Sequence, residues 1–167
     1  MALPVCIIVG YGPGNGQGIA RAFGRAGFAL GLLARSPGKL AGPLAELKSA
    51  GYGAELIAAD AGDEQSLTAG LGTARDRLGD AEVLVYNAVA FRMARPTAIT
   101  TDQLVADFRG SGVRAGTVTL MGLAAAGNAF DPDRIGEAFV TAYRKPLDQF
   151  EPDIQFRGAE SAEPGLS

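Results

Sequence analysis

The sequence contains no histidine, and that absence removes whole classes of chemistry. Ser-His-Asp and Cys-His catalysis need an imidazole base, and His-based metal sites need it as a ligand. Cysteine occurs once, as Cys6, so no internal disulfide can form. Its place in an apolar strand pattern predicts a buried, inert thiol. No Lys/Arg cluster stands out, and the net charge is −3, which argues against a nucleic-acid partner. Long apolar runs are missing too. The stretch from Leu3 to Val9 is too short to span a bilayer and has neither a charged leader nor a cleavage site. The expectation is a cytoplasmic protein with no membrane contact.

What is present suits one soluble globular domain of 167 residues, 47% hydrophobic and 20% charged. The domain is expected to span 1–158, with a flexible polar tail over 159–167. Val5 to Val9 is a continuous apolar, β-branched run, the pattern of a strand buried on both faces. Ile19, Ala22, Phe23 and Ala26 then recur at helical spacing, and Gly27 supplies a stop. Ala29–Ala34, Ala54–Ala59, Val83–Tyr86 and Val118–Met121 read as further strands, and Ile154–Phe156 as a short edge strand. Ser36-Pro37, Asp63 and Asp131-Pro132 are helix-opening signals, and Thr100 with Gln103 is a capping-box pattern. Pro43 kinks or delays the second helix. Regular alternation of strand and helix predicts an α/β fold: a Rossmann-like doubly wound parallel sheet in three α/β/α layers, with five or six strands.

The main chemical signal is a glycine cluster, Gly10-Tyr11-Gly12-Pro13-Gly14-Asn15-Gly16, placed between the first strand and the first helix. A diphosphate needs backbone N–H groups aimed at it, and a helix N-terminus presents them with a favourable dipole. Side chains would block that approach, so glycine suits the contact points. Two registers fit. Gly12-x-Gly14-x-x-x-Gly18 misses the last spacing of the dinucleotide fingerprint; Gly10-x-x-x-Gly14-x-Gly16 fits a different turn over its whole length.

That second register resembles the short-chain dehydrogenase/reductase family, whose Thr-Gly-x-x-x-Gly-x-Gly is similar to Val9 through Gly16 here. The resemblance continues along the chain, over about 1–90 and 112–157. Arg35 and Ser36 end the second strand where the family distinguishes NAD from NADP, and a basic residue there implies NADP(H) over NAD(H). Asp60-Ala61-Gly62-Asp63 resembles the family's Asp-Val-x-Asp, which implies adenine contacts from Asp60 and Ala61. The same Asp60 also suits a turn former or helix cap. Tyr86-Asn87-Ala88-Val89 resembles Asn-Asn-Ala-Gly, matching at Asn87 and Ala88, while Val89 stands where glycine lets the cofactor approach. Met121-Gly122 takes the place of Pro-Gly. The cofactor-binding set implied by the resemblance is Gly10, Gly12, Gly14, Asn15, Gly16, Arg35, Ser36, Asp60, Ala61, Asn87 and Ala88.

The family's catalytic residues are not found. Its reaction uses a Tyr, a Lys four residues later that lowers the Tyr pKa, and a Ser that orients the carbonyl. None of the four tyrosines has Lys at that spacing, and the stretch from Pro96 to Val113 is too short for the missing strand and helix. Arg109-Gly110-Ser111-Gly112 reads as a loop or linker, the place where an internal deletion, natural or engineered, would fall. The helices that form the family's usual dimer are thereby truncated, which leaves another homo-oligomer open, and the fourth and penultimate strands become candidate neighbours. No catalytic or metal-binding residue is assigned. Three functions fit: an NADP(H)-binding protein without standard carbonyl/alcohol oxidoreductase activity; an atypical oxidoreductase with Tyr86, Thr119 or Tyr143 as proton donor; or a folded remnant with no ligand.

Overall fold

The structure, a computed structural model, describes residues 2–88 and 113–158. The elements are β1 (Val5–Val9), α1 (Asn15–Arg25), β2 (Ala29–Ala34), a 3-10 turn (Pro37–Leu40), α2 (Ala41–Ser49), β3 (Ala54–Ala58), α3 (Glu64–Leu78) and β4 (Val83–Tyr86). After 89–112 come β5 (Thr117–Leu120), α4 (Pro132–Arg144), a second 3-10 turn (Leu147–Gln149) and β6 (Asp153–Phe156).

The strands form a parallel four-stranded sheet in the order β3-β2-β1-β4, with Val5 opposite Ala29, Leu30 opposite Ala54 and Cys6 opposite Val83. The apolar runs are continuous because both faces are covered. Cys6 and Ile8 join Leu30 and Leu32 beneath Ile19, Phe23, Leu47 and Val140, on the side of α1, α2 and α4. Val5, Ile7 and Val9 join Leu33 and Ile57 beneath Ala74, Leu67 and Leu71 of α3. This is the α/β Rossmann-like arrangement expected, in three layers.

The six strands do not share one sheet. β5 and β6 pair in parallel as a separate two-stranded sheet, and no β4–β5 ladder occurs among the described residues. The expected single sheet and the neighbouring of fourth and penultimate strands are corrected accordingly. β5 and β6 exchange their backbone hydrogen bonds with each other, and α4, which follows β5, packs on α1 rather than extending the ladder. The α1–α4 crossing is close enough to exclude side chains. A Cβ at Gly18 would overlap the carbonyl of Pro132 and lie 2.9 Å from the Asp133 nitrogen, and one at Gly136 would lie 2.7 Å from the Gly18 carbonyl carbon. Arg21–Asp133 and Arg25–Glu137 flank the crossing at 2.6 Å each.

Local signals are met unevenly. Asp63 accepts from the Ser66 amide at 2.6 Å and Asp131 from the Asp133 amide at 2.9 Å, so both cap as expected. Ser36 makes no side-chain cap bond. It precedes a 3-10 turn, and α2 begins only at Ala41, with Pro43 in its first turn. The pattern at Thr100 and Gln103, Val89, the junction 109–112 and the tail 159–167 lie outside the described residues.

Candidate functional site

The glycine-rich turn leaves the C-terminal end of β1 and enters α1 directly. Gly10 adopts φ +82°, and a Cβ there would lie 2.5 Å from the Ala88 main chain, so the position needs glycine on both counts. The amides of Gly10 and Tyr11 both donate to the Leu33 carbonyl, at 3.0 and 2.9 Å, which pins the turn to the end of β2. On its other side the Asn87 side-chain amide donates to the Gly10 carbonyl at 3.1 Å, and the Asn87 N–H to the Val9 carbonyl at 2.8 Å. Asn87 and Ala88 are thus brought against the turn from β4, as braces.

Above this base the turn is bare. A Cβ at Gly12 or Gly14 would meet nothing within 4 Å. Gly14 is the N-cap of α1 and makes no side-chain cap bond, and no acidic residue lies in the first helical turn. Asn15 opens the helix, and Gly16 packs so tightly that a Cβ would lie 3.1 Å from Tyr11 Cα. An uncapped helix start with an open approach is a site for an anion. The observation fits a diphosphate group at Gly12, Gly14, Asn15 and Gly16.

The remaining candidates lie at the same edge of the sheet. Arg35 and Ser36 are exposed just past β2. Asp60 and Ala61 are half-buried just past β3. The Asp60 carboxylate accepts from the Gly62 amide at 2.9 Å, and its own amide donates to Ser66 Oγ at 3.0 Å, so it shapes the turn into α3. Tyr86 ends β4 with its hydroxyl donating to the Ala61 carbonyl at 3.3 Å.

Of the three candidate proton donors, Tyr143 is at the wrong end. Its hydroxyl bonds Glu82, which precedes β4, and its ring packs edge-on to Phe28 at 5.4 Å. That hydrogen bond, with burial, raises its pKa. Thr119 Oγ1 donates to the Asp153 carboxylate at 3.4 Å. Burial pushes the Cys6 thiol well up, consistent with an inert core residue. No group of His, Cys, Asp or Glu suited to a metal occurs among the described residues.

Sequence reasoning missed two features. Tyr11 and Gln17 are buried beneath the turn and joined by a hydrogen bond. Helical spacing from Gly14 puts Gln17 in the first turn, but nothing in the sequence reports its partners. Arg114 donates to the carbonyls of Lys145 at 2.7 Å and Tyr143 at 3.0 Å, closing the C-terminal end of α4.

Residues 4–108 match the family profile described as short chain dehydrogenase. Among solved structures, a metagenomic short-chain oxidoreductase in complex with NADP superimposes with a TM-score of 0.77 at 18% identity, covering 94% of this chain and 98% of that one. An alcohol dehydrogenase from Thermococcus sibiricus complexed with 5-hydroxy-NADP gives 0.72 at 19%, with 95% and 99% covered. At such identities these two speak to the fold. A gluconate 5-dehydrogenase from Burkholderia cenocepacia in complex with NADP and tartrate is 27% identical with a TM-score of 0.50, over 65% of this chain and 43% of that one. No curated protein matches the sequence.

Proposed function

The chain belongs to the short-chain dehydrogenase family, and from that premise we propose that it binds NADP(H), in preference to NAD(H), without the family's standard carbonyl/alcohol chemistry. The observation that carries the reading is the open, uncapped helix start above Gly12 and Gly14, braced from β2 and β4. The diphosphate would lie on the amides of the turn, with Gly10 and Gly16 keeping the main chain compact beneath it. Arg35 and Ser36 would hold the 2′-phosphate, Asp60 and Ala61 the adenine, and Asn87 and Ala88 the far side of the turn. The gluconate 5-dehydrogenase, itself complexed with NADP, is consistent with that assignment.

A bound NADPH supplies a hydride. What the chain itself must supply is a proton at the substrate oxygen. The Tyr-x-x-x-Lys pair that would do so is missing from the sequence, which is why binding without standard turnover is preferred. An atypical oxidoreductase stands second because the Tyr86 hydroxyl lies at the same strand edge as the turn, on a 60% exposed side chain. The reading also implies a cytoplasmic protein that does not use the family's usual dimer helices. Among the described residues no helix is long and apolar enough to cross a membrane.

Calorimetric titration with NADPH and NADH tests the proposal. Saturable binding of NADPH is expected, and Arg35→Ala should weaken NADPH about tenfold or more while leaving NADH unchanged. No heat at millimolar ligand overturns it. NADPH oxidation with a panel of aldehydes and ketones separates the two readings, and turnover lost in Tyr86→Phe would favour the second.

A further inference from the structure

Among the pieces of chain that the proposed ligand would touch are the turn over Gly12–Gly16 and the end of β2 at Arg35 and Ser36. One buried polar chain joins them. Gln17 is 3% exposed and is the one buried side chain among the described residues that ends in an amide or a charge. Its Oε1 accepts from the Tyr11 hydroxyl, within the turn. Its Nε2 donates to the Pro43 carbonyl at 3.2 Å and to Glu46 Oε2 at 3.4 Å, both in α2. The first of these is the better bond, since 3.4 Å is long for an N–H donor. α2 follows Ser36 through a single 3-10 turn.

An apolar side chain of the same length would fill this space and cost less to bury. The amide is explained by what it links. Diphosphate binding needs only the turn and the start of α1. A 2′-phosphate contact needs the turn and the β2–α2 segment held at a fixed span. We propose that Gln17 is a positioning residue for cofactor selectivity, setting the distance between the diphosphate turn and the Arg35–Ser36 segment. The inference rests on the reading above.

The test is the pair of dissociation constants, NADPH and NADH, for the wild-type protein and Gln17→Met, a near-isosteric change that keeps the volume and removes both the amide donor and its acceptor. NADPH should weaken about tenfold while NADH changes less than about twofold. Should Gln17→Met not fold, Glu46→Leu on the exposed side of α2 removes only the longer bond. It should shift the NADPH/NADH ratio the same way by about two- to threefold. An equal loss for both cofactors, or an unchanged ratio, overturns the inference and leaves the binding reading intact. A wild-type protein that binds neither cofactor overturns both.

Discussion

The two halves of this molecule are built from the same alternation of strand and helix, yet they are held together differently. In the β1–β4 half every residue of β1 is buried, and five of six in β2. In the β5–β6 half no strand residue is fully buried, and Met121 and Leu123 just beyond β5 are exposed. The first half coheres through a ladder with apolar cover on both faces. The second is attached by a helix: α4 lies on α1 through Gly18 and Gly136, and Arg114, seated near the Phe150 ring, closes its far end. The second half has a ladder too, between β5 and β6, but what joins that pair to the first half is the helix crossing.

The largest effect should come from breaking the crossing. Gly136→Val places a branched side chain against the Gly18 main chain, which cannot retreat. It should cost about 3 kcal/mol or more in urea unfolding, with hydrogen-exchange protection lost first in α4. An unchanged midpoint would show that the second half does not depend on α4. Next, Leu32→Ala in the first sheet should cost about 3 kcal/mol, because it opens a cavity under full burial. Leu120→Ala in β5 should cost about 1 kcal/mol by the same measurement. Equal costs would erase the contrast between the halves.

The third prediction sharpens the comparison through pH. Burial, with help from Glu46, raises the Tyr11 pKa from 10.0 to about 12. An unfolded Tyr11 releases its proton near pH 10, whereas the folded one keeps it, so between these values the unfolded state binds fewer protons. The stabilisation is complete below pH 10 and is lost as pH rises through 12. Melting curves over that range should fall more steeply for wild type than for Tyr11→Phe, by up to about 3 kcal/mol in all. Parallel curves would remove Tyr11 from the core of the first half. The smallest effect is at a helix start: Asp63→Ala should cost about 1 kcal/mol by losing its bond to the Ser66 amide.

Much of the first half was legible because its signals are local. Val5 to Val9 is apolar at every position because α1 and α3 cover opposite faces, and burial on both sides suppresses alternation. Asp63 and Asp131 cap within two or three residues of themselves. The glycine turn was legible as a turn, and its bare approach follows from residue type. The division into two sheets was not, because Val118 to Met121 reads as a strand whichever neighbour it takes. Ser36-Pro37 has the form of a helix start, but the chain inserts a 3-10 turn first. Gln17 was passed over because its partners Pro43 and Glu46 lie 26 and 29 residues away, and no periodicity reports a hydrogen bond over that distance. Tyr143 reads from the sequence as a candidate proton donor, but its place on α4 puts its hydroxyl on Glu82, at the other end of the sheet.

The crossing of Gly18 and Gly136 has a bearing on how this chain can change over time. Each position already carries the smallest residue there is, so an enlargement at one cannot be offset by a reduction at the other. Most buried contacts drift by such paired exchanges, large for small and small for large. Here the nearest obstructing atoms are main chain, the Pro132 carbonyl opposite Gly18 and the Gly18 carbonyl opposite Gly136, and no smaller side chain elsewhere removes them.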